Sequence, residues 1–164
     1  MANRKRTGPR SLCPINRFVE LFGDPWSLVV LRDIMFGGKR HYLDLLEHSE
    51  EGISTSVLVD RLKKLTLAGV IRQIDDDTHK QRTLYALTDD GVALAPTVVA
   101  LSTWSSAWQP PSAKHAVRTR MLVEGGEEIL SRLLDDLRAT HLDQARRLPG
   151  PSVLDALQQA FDTA

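Results

Sequence analysis

The sequence predicts a mainly α fold with one small β-hairpin, and three observations within residues 52–88 carry that prediction. First, Ser54 stands where a helix cap belongs, ahead of a helix running to about residue 68. Leu58, Leu62 and Leu65 fall on one stripe of it. At roughly 100° per residue, Ser56, Val59, Asp60, Lys63 and Lys64 point the other way. Gly69 follows as a C′ residue. Second, residues 71–74 and 83–87 read as short strands, with Tyr85 and Leu87 on one face by period-two alternation and the polar run DDDTHKQR between the strands. Third, Thr88 with Asp89 and Asp90 opens another helix. A cationic helix followed by a basic hairpin is the layout of a winged helix-turn-helix. In that fold the helix enters the major groove and the hairpin lies along the flanking backbone. A helix, a hairpin and a helix with one apolar face also describe an ordinary α+β core fragment, so the remaining chain has to decide.

The other elements support the first reading. Residues 1–12 are polar and basic, with Arg4, Lys5, Arg6 and Arg10 and no acid, and read as a disordered arm. Cys13-Pro14 opens a helix with the stripe Ile15, Phe18, Val19 and Phe22, which Gly23 ends. Asp24-Pro25-Trp26 opens a second helix with proline at its first position. It is apolar on most sides and so expected to be the most buried, with Trp26 in the core. Residues 42–47 form a short third helix, and Ser49-Glu50-Glu51-Gly52 is the turn before the recognition helix. A long helix over residues 89–108 carries Leu94, Val98, Leu101, Ser105 and Trp108 along one seam, with Trp104 a turn before Trp108 and a bend at Pro96. That seam exceeds what a small core needs and is read as a contact between two subunits. Pro110-Pro111-Ser112 breaks the chain. Beyond it lies a C-terminal helical extension. Gly125-Gly126 is read as a hinge, the helical repeat from Leu130 as reaching about Leu148, and residues 153–161 as a last helix. The expected organisation is therefore a basic arm (1–12), a DNA-binding and dimerisation domain (13–110) and a helical extension (111–164).

Composition limits the function classes. Net charge is zero, yet residues 1–88 hold 14 Lys/Arg against 11 Asp/Glu, and residues 89–164 hold 7 against 10. A local basic patch, rather than net charge, drives phosphate binding. One cysteine makes no internal disulfide, and no apolar run suits a membrane span, so a cytoplasmic protein with no membrane contact is expected. The five histidines are scattered, no phosphate-binding glycine loop or nucleophile elbow occurs, and no metal, cofactor or catalytic role is expected. Asp75-Asp76-Asp77 reads as a solvated turn rather than a cation site.

The combined pattern resembles the HxlR-type winged helix-turn-helix family of bacterial transcription regulators. The residues carrying the resemblance are Cys13-Pro14, Trp26 with Val30-Leu31-Arg32, Gly37, Tyr42 with Asp44-Leu45, Gly52-Ile53-Ser54, Leu58, Leu62, Leu65, Gly69, Tyr85-Ala86-Leu87-Thr88 with Gly91, and also Pro96 and Trp104. It covers about residues 13–108. The resemblance implies a homodimer built through the first and last helices of that part, recognising a roughly palindromic double-stranded DNA operator. The chain departs from the family at His41-Tyr42, where Arg-Phe is common. It also departs at its proline-free wing tip, at Arg72-Gln73 in the first wing strand, and at Thr55, Ser56 and Asp60, where longer polar or basic residues are common. These departures bear on the operator sequence.

The expected DNA-facing residues are Thr55, Ser56, Val59, Asp60, Lys63 and Lys64 of the recognition helix and Arg82 of the wing. Lysines neutralise phosphates or reach guanine, and Asp60 is placed to accept from cytosine N4. Arg61, nearer the domain, is expected to pair with an acid inside the protein. The expected dimer residues are Ile15, Phe18, Leu94, Val98, Leu101, Trp104 and Trp108. Cys13 is the candidate redox-sensing residue, because some relatives carry a sensing cysteine there and because it caps a helix near Arg10. A small-molecule effector is the further partner the extension would serve. The alternative reading is a winged helix used as a protein-interaction module, its acidic wing tip repelling phosphate.

Overall fold

The computed structural model describes residues 10–75 and 83–164. Its element order is α1 (Pro14–Phe22), α2 (Ser27–Phe36), α3 (Tyr42–Glu47), α4 (Thr55–Leu67), β1 (Ile71–Asp75), β2 (Thr83–Leu87), α5 (Asp89–Ala93), α6 (Ala95–Trp108), α7 (Ala113–Glu124), α8 (Gly126–Leu142) and α9 (Val153–Thr163). The fold class is as expected: mainly α, with one antiparallel hairpin whose register runs from Ile71↔Leu87 to Asp75↔Thr83. A bridge between His41 and Leu84, and a bond from the Tyr85 amide to the Arg40 carbonyl, lay the segment before α3 along the outer edge of β2. That edge is thereby covered.

Local chemistry explains most boundaries. α2 starts two residues later than expected, at Ser27, because Asp24 acts before the helix begins: its Oδ1 accepts from the Trp26 and Ser27 amides. Trp26 is half-buried and packs on the core. Gly69 ends α4 at φ +72°, a left-handed conformation that disfavours any residue with a Cβ. The Thr88 hydroxyl accepts from the Gly91 amide and opens α5. The long helix expected over residues 89–108 is in fact two. The break falls at Leu94, ahead of Pro96, because proline cannot donate to the carbonyl of Val92 and its ring crowds that turn.

The extension departs most from expectation. Residues 113–124, unassigned from sequence, form α7, and Gly125-Gly126 is a tight elbow with Gly126 at φ +57°. α8 stops at Leu142, not Leu148, with Asp143 in the left-handed region. Two buried carboxylates on α8 organise the segment that links it to α9. Asp135 accepts from the Arg147 and Leu148 amides. Asp136 accepts from the Val153 and Leu154 amides at the start of α9 and pairs with Arg146 at 2.6 Å. The Arg147 and Leu148 amides are thus claimed by a side chain rather than by a continued α8, while Asp136 satisfies the free first-turn amides of α9.

The extension is no separate lobe. Leu122, Leu133, Leu137, Val153 and Leu157 are buried in the same hydrophobic cluster as Leu31, Ile34, Leu58, Leu62, Ile71 and Leu87. α8 packs against α5 and β2, α7 against α6 and α9, and α9 reaches α2. β2 is consequently buried on both faces: Ala86 is as inaccessible as Tyr85 and Leu87, which simple alternation does not foresee. His141, 2% exposed, sits at this junction. Its Nδ1 accepts from the Leu87 amide, its carbonyl accepts from Arg72, and the neighbouring Thr140 carbonyl accepts from Arg40.

This buried imidazole generates a pH prediction. Burial, with the nearby charges of Arg40 and Arg72, lowers the His141 pKa from 6.5 to about 4. The unfolded chain therefore takes up a proton before the folded one does. Stability is fully present above pH 6.5 and is lost as pH falls from 6.5 towards 4, by about 3 kcal/mol over the whole window. Denaturant titrations at pH 7 and pH 5 should show this loss in the wild type. It should be largely absent in His141→Asn, which retains an acceptor for Leu87 but does not titrate.

Candidate nucleic-acid interface

α4 has two chemically distinct faces, set by its 3.6-residue repeat. Leu58, Leu62 and Leu65 are buried against the domain. Thr55, Ser56, Val59, Asp60 and Lys63 lie exposed on the opposite face. Ser54 occupies the N-cap, but its side chain makes no capping hydrogen bond.

Lys64 corrects one expectation. It does not join the outward face, since its Nζ donates to Asp24 Oδ2 at 2.9 Å. Arg61, as expected, pairs with an internal acid, also Asp24, at 2.9 Å. Both residues flank the buried stripe, so their long stems run along the helix to the same carboxylate. Asp24 therefore gathers Arg61, Lys64, the Ser27 hydroxyl and the Trp26 and Ser27 amides. Burial raises its pKa, but the hydrogen bonds from Ser27, Lys64 and the two amides prevail and hold it well below the usual carboxylate range. Lys63 makes no ion pair or hydrogen bond among the described residues, which leaves α4 a single outward cation.

Two grooves lie beside the root of the hairpin, one of them bordering α4. Tyr42, Val59, Lys63, Gln73 and Tyr85 line one, between α4 and the root of the hairpin. His41, Asp44 and Thr83 line its neighbour beside α3. Sequence reasoning missed Tyr42, Gln73 and Thr83 here. The signal was available for Gln73, which faces Tyr85 in the hairpin register and donates to its hydroxyl at 3.3 Å. The hairpin tip, including Arg82, lies outside the described residues.

The turn before α4 is held from behind. Glu51 accepts two bonds from Arg32 on α2, at 2.6 and 2.9 Å. Glu50 meets His115 Nε2 on α7 at 2.8 Å. The Ser49 hydroxyl accepts from the Ile53 amide. These contacts keep both glutamates below the ordinary range, Glu50 through the His115 hydrogen bond and Glu51 through Arg32.

The residues expected at a subunit contact are of two kinds. Ile15, Leu101, Trp104 and Trp108 are exposed large apolar groups, Trp108 71% so, and the two tryptophan rings stack at 5.5 Å. Phe18, Leu94 and Val98 are half-buried and pack on the core of their own chain. Cys13 is exposed at the N-cap of α1, with no hydrogen bond from its side chain to the helix. Arg10, expected near the thiol, is engaged by Glu20 and Asn16.

A helix-turn-helix whose second helix presents a polar face beside a two-stranded wing is the architecture of a DNA-binding transcription regulator. The family model for the HxlR-like helix-turn-helix matches residues 21–113. The chain belongs to that family and is a transcriptional regulator. YvaP of Bacillus subtilis, an uncharacterized HTH-type transcriptional regulator, is 31% identical over 102 residues, covering 62% of this chain and 93% of that protein. The uncharacterized HTH-type regulator Rv3095 of Mycobacterium tuberculosis is 29% identical over 130 residues, covering 72% and 80%. Among solved structures, that of PA1607, a candidate transcription factor, superposes with a TM-score of 0.57 at 28% identity, over 63% of this chain and 70% of that one. The SlyA-like regulator from Listeria monocytogenes, at 19% identity and a TM-score of 0.50 over 80% of this chain and 86% of that one, shares the fold. The family match ends at the first residue of α7, so most of the extension lies beyond it.

The internal role of Lys64 and Asp24 is open to measurement. Asp24→Ala should destabilise the fold by about 2 kcal/mol, since it leaves two partly buried cations and two amides without an acceptor. Lys64→Ala should cost less stability and leave the salt dependence of DNA binding unchanged. Urea denaturation and binding titrations at several salt concentrations give both quantities.

Proposed function

We propose that this regulator binds a roughly palindromic double-stranded DNA operator as a homodimer, with α4 in the major groove and the wing on the flanking backbone. The observation that carries the reading is the division of charge on α4. Its inward cations are paired with Asp24, while Thr55, Ser56, Val59, Asp60 and Lys63 are exposed on the opposite face. Lys63 takes a phosphate or a guanine edge, Ser56 and Asp60 face bases, and Arg82 adds a wing contact. Only a few base pairs fit under one such helix. Two helices related by a two-fold axis read half-sites ~34 Å apart.

The exposed Leu101, Trp104 and Trp108 on α6, together with Ile15 on α1, support the dimer. An apolar row of this size is costly to leave in water and suits a second copy of the same row. Response to a small molecule belongs to the same reading. A redox response at Cys13 rests on that residue's exposure and its place at the start of α1.

DNA-affinity selection followed by binding titrations tests the proposal. Lys63→Ala should weaken operator binding and shallow the salt slope by about one unit, without loss of thermal stability. An unchanged slope would place α4 outside the groove. Sedimentation at micromolar concentration should give a dimer for the wild type and a folded monomer for Trp108→Glu. A monomeric wild type would overturn the two-fold model.

A further inference from the structure

A cavity of about 180 Å³ lies between α2, α6, α7 and α9, so it exists only because the extension packs on the winged helix. Phe36, Val98, Val99 and Leu122 give it apolar walls. A cavity of comparable size, about 150 Å³, and apolar lining accepts one benzene ring. Three basic side chains interrupt the apolar lining: Arg32, His115 and Arg118.

Arg118 is the informative one. It is half-buried, and its partners are neutral: Nε donates to the Leu157 carbonyl at 3.2 Å, Nη2 donates to Gln158 Oε1 at 2.6 Å, and the guanidinium lies 4.0 Å from the centre of the Phe161 ring. No carboxylate forms a salt bridge with it among the described residues. Burial pushes its pKa below the ordinary arginine value. The carboxylates of Asp162 and Glu50 act on it through space but do not engage it in a salt bridge, and a partly desolvated guanidinium with unfilled donors is a receptor for an anionic oxygen.

The other two basic residues point to what a ligand would do. Arg32 holds Glu51, and His115 holds Glu50. Those glutamates form the turn directly before α4. An anion in the cavity would compete with both for the same hydrogen-bond donors.

We propose that this cavity is an effector site for a small monocarboxylate with a compact apolar body, read by Arg118 and coupled to α4 through the Arg32–Glu51 and His115–Glu50 pairs. The occupied state loosens the turn and lowers operator affinity, because the ligand is favoured where the glutamates have released their partners. The coupling rests on the proposed DNA binding by α4; occupation of the cavity does not.

Calorimetry without DNA separates the two. Benzoate is the probe, and benzamide is its uncharged match in shape. Benzoate should bind, and benzamide should bind at least tenfold more weakly. Arg118→Gln should lose at least tenfold in benzoate affinity, as expected for removal of a charge-assisted hydrogen bond. Val99→Phe, which fills the cavity and keeps the arginine, should lose as much. Both variants are to be checked for cooperative melting. Equal binding of the two probes by the wild type, or no heat with benzoate up to about 10 mM, overturns the site. So does wild-type benzoate affinity in a variant that melts cooperatively. In operator titrations, benzoate should weaken wild-type binding severalfold and leave Val99→Phe unaffected. Benzoate binding with unchanged operator affinity overturns the coupling. A protein that binds benzoate but no operator refutes the DNA reading and supports the site.

Discussion

The orientation of the exposed face of α4 depends on the carboxylate of Asp24. Three buried leucines on α4 contribute roughly 5–9 kcal/mol by removing apolar surface from water, and that term decides that the helix forms and which side faces in. It is non-directional, however, and leaves the helix free to slide or roll slightly on its bed. Asp24 removes that freedom. It lies at the start of α2 and binds Arg61 and Lys64, one turn apart on α4. Hydrogen bonds to a charged group contribute less than the leucines but specify distance and direction. The carboxylate thus fixes where Ser56, Asp60 and Lys63 project, although none of them touches it.

The same segment shows why a count of cations misjudges a binding surface. Arg61, Lys63 and Lys64 are close in sequence, yet two of the three are internal and only Lys63 faces solvent. With Asp60 beside it, the outward face of α4 is nearly neutral. Electrostatic attraction to phosphate from this helix alone is then modest. In the proposed complex, the second subunit and the wing would therefore supply much of the affinity, and short polar side chains the base contacts.

The extension changes the mechanics of the winged helix. α8 covers the face of β2 that a free-standing wing would leave in water, and bonds from Arg40 and Arg72 to α8 carbonyls tie the wing root to it. α7 reaches the turn before α4 through His115 and Glu50. Both α4 and the root of the hairpin are therefore braced by residues beyond the family match. Changes in that bracing have a direct route to the turn before α4.

The sequence by itself determined the elements whose cause is local. The leucine stripe of α4, the left-handed Gly69, the Thr88 cap and the two strands of the hairpin each arise within a few residues, and all stand as read. Which residues of α4 face outward was legible where exposure follows from helical phase, as for Ser56 and Lys63. It was not legible for Lys64, whose direction depends on an aspartate 40 residues away. The end of α8 at Leu142, the burial of Ala86 and the cavity walled by α7 and α9 were equally hidden. Each requires two segments distant in sequence to meet: Asp135 and Asp136 with the amides beyond the end of α8, α8 with β2, and α9 with α2. Helical and strand periodicity report only which side of an element is apolar. Which element covers that side, and which charge a long side chain finds there, is decided by packing the whole chain.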